Sequence, residues 1–70
     1  MVKARGSTKD MMKQISNIGI IKYGYEVSGD YDACLVVEGP TLEDIDGKID
    51  RIRALRTVRD TKSFIVLRKW

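Results

Sequence analysis

Ala33-Cys34-Leu35-Val36-Val37 and Ser63-Phe64-Ile65-Val66-Leu67 are apolar at almost every position where a half-buried strand would alternate. A sheet built on such strands needs cover on both faces. The rest of the chain offers two amphipathic helical patterns, enough for one face, so the other face is expected to meet a second copy of the chain. An obligate oligomer is therefore the first expectation.

Working outward, Ser7 with Asp10 three residues later marks a helix start, and Met11, Met12, Ile15 and Ile18 form one stripe before Gly19. This predicts a helix over residues 8–18. Ile21, Tyr23, Tyr25 and Val27 alternate with Lys22, Gly24, Glu26 and Ser28, the period of a strand with one polar face. Turn residues 28–32 then lead into the first apolar run. After Gly39-Pro40, Thr41 and Asp44 repeat the capping pattern, and Leu42, Ile45, Ile49, Ile52 and Leu55 carry a second stripe, predicting a helix over 42–55. Its acids precede its arginines, which complements the helix dipole; Gly47 interrupts it at a cost of about 1 kcal/mol relative to Ala, tolerable where close packing needs it. Met1–Gly6 reads as a short first strand or an irregular start.

Seventy residues, 43% hydrophobic and 33% charged, make one globular domain over residues 1–70 with no stretch that can cross a bilayer. Ordering entropy of roughly 1.5 kcal/mol per residue leaves so small a core barely sufficient, and oligomerisation is the available remedy. One cysteine rules out an internal disulfide, and no signal peptide is visible, so a cytoplasmic protein is expected. The net charge of +3 is local polarity. With no histidine and one apolar-flanked cysteine, the usual zinc, haem and histidine-based catalytic sets are missing, so no metal, no cofactor and no enzyme activity are expected. Cys34 reads as a core residue.

The order (β)αββαβ with helical crossovers gives a ferredoxin-like α+β fold: an antiparallel sheet with both helices on one face and a short or uncertain first strand. Tyr25-Glu26-Val27-Ser28-Gly29-Asp30-Tyr31-Asp32, Leu35-Val36-Val37-Glu38, Thr41-Leu42-Glu43-Asp44-Ile45-Asp46 and Val58–Leu67 resemble, as an ordered set, the C-terminal effector-binding and oligomerisation (RAM) domain of the Lrp/AsnC transcription regulators. The resemblance covers roughly residues 15–68 and implies a dimeric α+β barrel, sheet against sheet, with dimers joined in rings and amino-acid effectors bound between them. It also places the first strand centrally, between the third and fourth. The chain departs from full-length regulators in showing no DNA-binding helix-turn-helix, and so resembles a stand-alone copy of the domain. Its first strand is shorter and less apolar than the family's, which leaves open whether a neighbouring chain completes the sheet.

The leading site candidate is Gly29-Asp30-Tyr31-Asp32. Gly29 can turn backbone amides outward to hold a carboxylate while Asp30 or Asp32 accepts an ammonium group, the two charges of an amino acid. The plain alternative is a hairpin turn using Gly and Asp for their backbone conformations. Thr61 and Ser63, two apart and expected on one face of the last strand, can complete a polar pocket at a subunit boundary or simply be exposed edge polarity. Tyr23 and Tyr25 are expected, with Cys34, Val36, Phe64 and Val66, to form the oligomer interface. Arg51, Arg53, Arg56 and Arg59 can in principle meet phosphates. They cluster at and beyond the end of a helix that carries several acids, however, and the third strand lacks the aromatic pair of an RNA-binding sheet, so they read as a solvated face and no direct DNA binding is expected.

These readings converge on an amino-acid-binding oligomerisation module that modulates transcription, a homodimer and higher ring, with full-length Lrp/AsnC regulators as further partners and no membrane association. The alternatives are a structural adaptor that co-assembles with such regulators without an effector, or a weak nucleic-acid-binding protein.

Overall fold

The computed structural model describes residues 1–70. Its elements are β1 (Val2–Ala4), α1 (Thr8–Ile18), β2 (Tyr23–Glu26), β3 (Ala33–Val36), α2 (Leu42–Arg53) and β4 (Val58–Thr61). The strands form one antiparallel sheet in the order β2-β3-β1-β4, so the short first strand exists and is central. This is the expected ferredoxin-like α+β arrangement.

Both helices begin where side-chain oxygens satisfy the orphan amides of the first turn. Ser7 Oγ accepts from Asp10 N at 3.2 Å, and Thr41 Oγ1 accepts from Asp44 N at 3.1 Å. α1 ends at Gly19, whose φ of 65° is left-handed and whose N–H donates to Ser16 O. α2 ends two residues before the predicted stop. Leu55 N donates to Ile52 O and Leu55 O accepts from Val58 N, turning the chain into β4 while the Leu55 side chain still packs on the core.

The fully enclosed residues are Val2, Met11, Ile15, Ala33, Ile52 and Val58, one or two from each of five elements. Ala4, Met12, Ile20, Ile21, Leu35, Val37 and Leu55 pack around them. A Cβ on Gly24 would stand 2.9 Å from Met12 Cε and 3.1 Å from Ile21 Cδ1, so the absence of a side chain lets β2 approach α1. Gly47 is different. A Cβ there meets nothing within 4 Å, so close packing does not explain that glycine.

The last strand differs from the sequence expectation. It is Val58–Thr61, and Ser63–Leu67 lies outside the sheet, with Phe64, Ile65, Val66 and Leu67 exposed by 64–92%. The ladder between β1 and β4 pairs Val2 with Thr61, and its last bonds join Lys62 N to Met1 O and the Met1 ammonium to Lys62 O. Ser63–Leu67 forms no backbone hydrogen bond, so its β propensity is unused.

Two consequences are measurable. Gly47→Ala should stabilise the fold by about 1 kcal/mol in a urea titration, through helix propensity and a less entropic unfolded chain. Asp32→Ala should destabilise it by about 1–3 kcal/mol, because the carboxylate accepts the part-buried Ala4 N–H at 2.7 Å and its loss leaves that donor unpaired.

Candidate functional site

The Gly29–Asp32 loop enters β3 and is held at both ends. Val27 N donates to Asp32 O at 3.0 Å, Asp32 N donates to Val2 O at 2.9 Å, and Asp32 Oδ2 takes the Ala4 amide beside the β-bulge of β1. Asp32 therefore fixes the loop to the central strand. Gly29 adopts φ 120°, a conformation that strains any side-chain-bearing residue, and a Cβ there would stand in open space. Asp30 is exposed and makes no ion pair or side-chain hydrogen bond, while Tyr31 lies under Lys3 with the ammonium 5.4 Å from the ring centroid. One free carboxylate, one nearby ammonium and a glycine turn thus share a corner of the sheet. Lys3 carried no role in the sequence reading, although its alternation with buried Val2 already sets it on the opposite face.

Thr61 and Ser63 are elsewhere. Thr61 Oγ1 accepts from Arg53 Nε at 3.1 Å, and Arg53 NH1 reaches Asp50 Oδ1 at 3.4 Å, which ties the end of β4 to α2 on the helical side of the sheet. Ser63 lies in the segment after β4 and lines an open cleft of about 950 Å³ beneath α2, together with Leu42, Ile49, Asp46, Asp50 and Arg53. A smaller cleft of about 290 Å³ includes both Thr61 and Ser63. Neither includes Gly29, Asp30, Tyr31 or Asp32. Within one chain, the two groups of candidate residues do not converge. Arg53 and Asp50 are residues that sequence reasoning read as a solvated helix face; the available signal was Arg53 standing one turn beyond Ile49 on the apolar stripe.

Tyr23, Tyr25, Cys34 and Val36 do come together. Tyr23 pairs with Val36 and Tyr25 with Cys34 across the β2–β3 ladder, and the tyrosine ring centroids are 6.4 Å apart. Gly24 faces α1 and Ala33 lies in the core, so these four residues occupy the face without helices. Both tyrosines are more than half exposed. Phe64 and Val66 are not on this face, because their segment is outside the sheet.

No helix is long and apolar enough to cross a membrane. Comparison with known proteins places this geometry in a family. The chain is 43% identical over 63 residues to "HTH-type transcriptional regulator LysM" of Sulfurisphaera tokodaii, covering 90% of this chain and 45% of that protein. It is 38% identical over 63 residues to the regulator of the same name in Saccharolobus solfataricus, covering 90% and 44% respectively. It thus spans under half the length of these curated relatives. A 62-residue segment is also 34% identical to part of "Homocitrate synthase" of Saccharolobus islandicus, covering 89% of this chain and 13% of that protein. No solved structure matches. The family model for the Lrp/AsnC ligand binding domain matches residues 1–70, and the chain belongs to that family.

Proposed function

We propose that this chain is a regulatory module that binds an amino acid or similar small zwitterion where two subunits meet, and that it self-assembles through the open face of its sheet. The single observation that carries the reading is a ligand-binding-domain match over all 70 residues in a molecule whose apolar sheet face is uncovered. The occurrence of similar segments within proteins named as transcriptional regulators and within one named as a synthase supports a portable sensing unit rather than a catalytic one. Such a unit acts inside the cell, on a regulator of its own family.

In this reading the Gly29 turn offers amides to the ligand carboxylate and exposed Asp30 accepts the ammonium, since Asp32 is engaged by the Ala4 amide. Lys3 and Tyr31 border the site. Thr61 and Ser63 belong to the same pocket only if a second subunit contributes them, because they lie apart from the loop within one chain. Effector and assembly are then linked: a ligand that prefers one assembly stabilises it, and the assembly raises the affinity by the same factor.

A thermal-shift screen against the twenty amino acids, with assembly mass followed by light scattering, tests this directly. A ligand at about one hundred times its Kd should add roughly 2.7 kcal/mol per site, a shift of several degrees for a chain this size. Asp30→Asn should remove the shift without changing the mass. If no amino acid shifts an intact oligomer, the effector-free adaptor replaces the sensor. Tyr25→Glu should reduce the assembly mass by placing a charge in the tyrosine patch; an unchanged mass would locate the interface elsewhere.

A further inference from the structure

Lys3 is the one charged side chain on the central strand β1, and it stands on the face that carries no helix. It is half-buried, its ammonium lies 5.4 Å from the centroid of the half-buried Tyr31 ring, and it makes neither an ion pair nor a side-chain hydrogen bond. Three acids lie around this corner, and none takes it. Asp60 stands opposite Lys3 in the β1–β4 ladder without an ion pair, Asp32 is engaged by the Ala4 amide, and Asp30 is exposed. The ring face of Tyr31 attracts the ammonium but occupies none of its three N–H donors. Beside the Gly29 turn there is thus a cation already set on a ring and still without an anion.

We infer that Lys3 anchors the carboxylate of the ligand and that Tyr31 is its positioning residue, an inference that rests on the zwitterion reading above. Asp30 and Lys3 meet through Tyr31, the neighbour of one in sequence and of the other in space. An α-amino acid carries ammonium and carboxylate on one carbon, so its site needs a free acceptor and a free donor close together. Asp30 and Lys3 are the free pair at this loop. A carboxylate has two oxygens, and amides of the Gly29 turn can take one while the ammonium takes the other. The ring contributes by holding the lysine: a side chain already resting on Tyr31 has lost part of its rotamer freedom before the ligand arrives. Burial points the same way. Closure of the helix-free face by a second subunit strips water from Lys3, and an ammonium left there without an anion is costly. A bound carboxylate removes that cost, which gives the coupling of effector and assembly a physical route. The consequence is a ligand class defined by a free carboxylate. An amino acid α-amide, which keeps the ammonium and the side chain, is rejected.

Titration calorimetry of the full chain with each of the twenty amino acids and its α-amide tests this. The wild type should bind at least one amino acid and prefer it to the amide. Lys3→Met should weaken that amino acid by about ten- to a hundredfold, the worth of one charge-assisted hydrogen bond, and bring it down toward the affinity of its amide. Lys3→Arg should keep the preference. Tyr31→Phe should keep it as well, whereas Tyr31→Leu should reduce it, because only the ring face is used. The urea midpoint of Lys3→Met should stay close to that of the wild type, since the ammonium has no bonded partner in the fold. A Lys3→Met variant that still prefers the amino acid to its amide would overturn the inference and leave the zwitterion reading standing, as would an equal loss for both compounds. A wild type that binds no amino acid would remove that reading, and the inference with it.

Discussion

The structure depends on three residues. Val2–Ala4 is the central strand, and everything else in the sheet is attached through it: Val2 pairs with Ala33 on one side and Thr61 on the other, and its side chain is buried against both helices' contacts. A strand of three residues provides few hydrogen bonds, so neighbouring groups reinforce it. Asp32 takes the Ala4 amide, Arg5 N donates to Thr57 O at 2.8 Å, and Lys62 bonds twice to Met1. Central placement makes each of these bonds an extension of the pairing between β1 and its two neighbours.

β1 pairs with β3 at Ala33 and with β4 from Val58 to Thr61. The chain leaves apolar material uncovered in two places, the Tyr23–Tyr25 face and the Phe64–Leu67 tail. Six fully buried residues are a small core for 70 residues.

Much of the fold is legible in the residues. The first helix runs from Thr8 to Ile18, as the Ser7 cap, the Met11/Ile15 stripe and Gly19 require. The alternation of Tyr23 and Tyr25 about Gly24 assigns two faces correctly, and the pairing with Val36 and Cys34 follows from it. Ser63–Leu67 has the higher strand propensity, yet the fourth strand is Val58–Thr61, because that segment has the partner. The second helix stops at Arg53 although the apolar stripe continues to Leu55, which packs on the core from outside the helix. In the candidate site, the Gly29 turn is readable, and the engagement of Asp32 rather than Asp30 by a backbone amide is not: nothing local distinguishes the two carboxylates.

Sequence by itself determined the local features: caps, helix faces, the glycine turn and which strand positions share a side, all set by contacts within four residues or by the period of the backbone. Tertiary structure alone decided which segment became β4, that Asp32 serves the backbone of a residue 28 positions away, and that Thr61 lies apart from the Gly29 loop. Those outcomes depend on where unpaired amides and carbonyls meet across the sheet, and a strand's affinity for pairing cannot express itself without a backbone beside it.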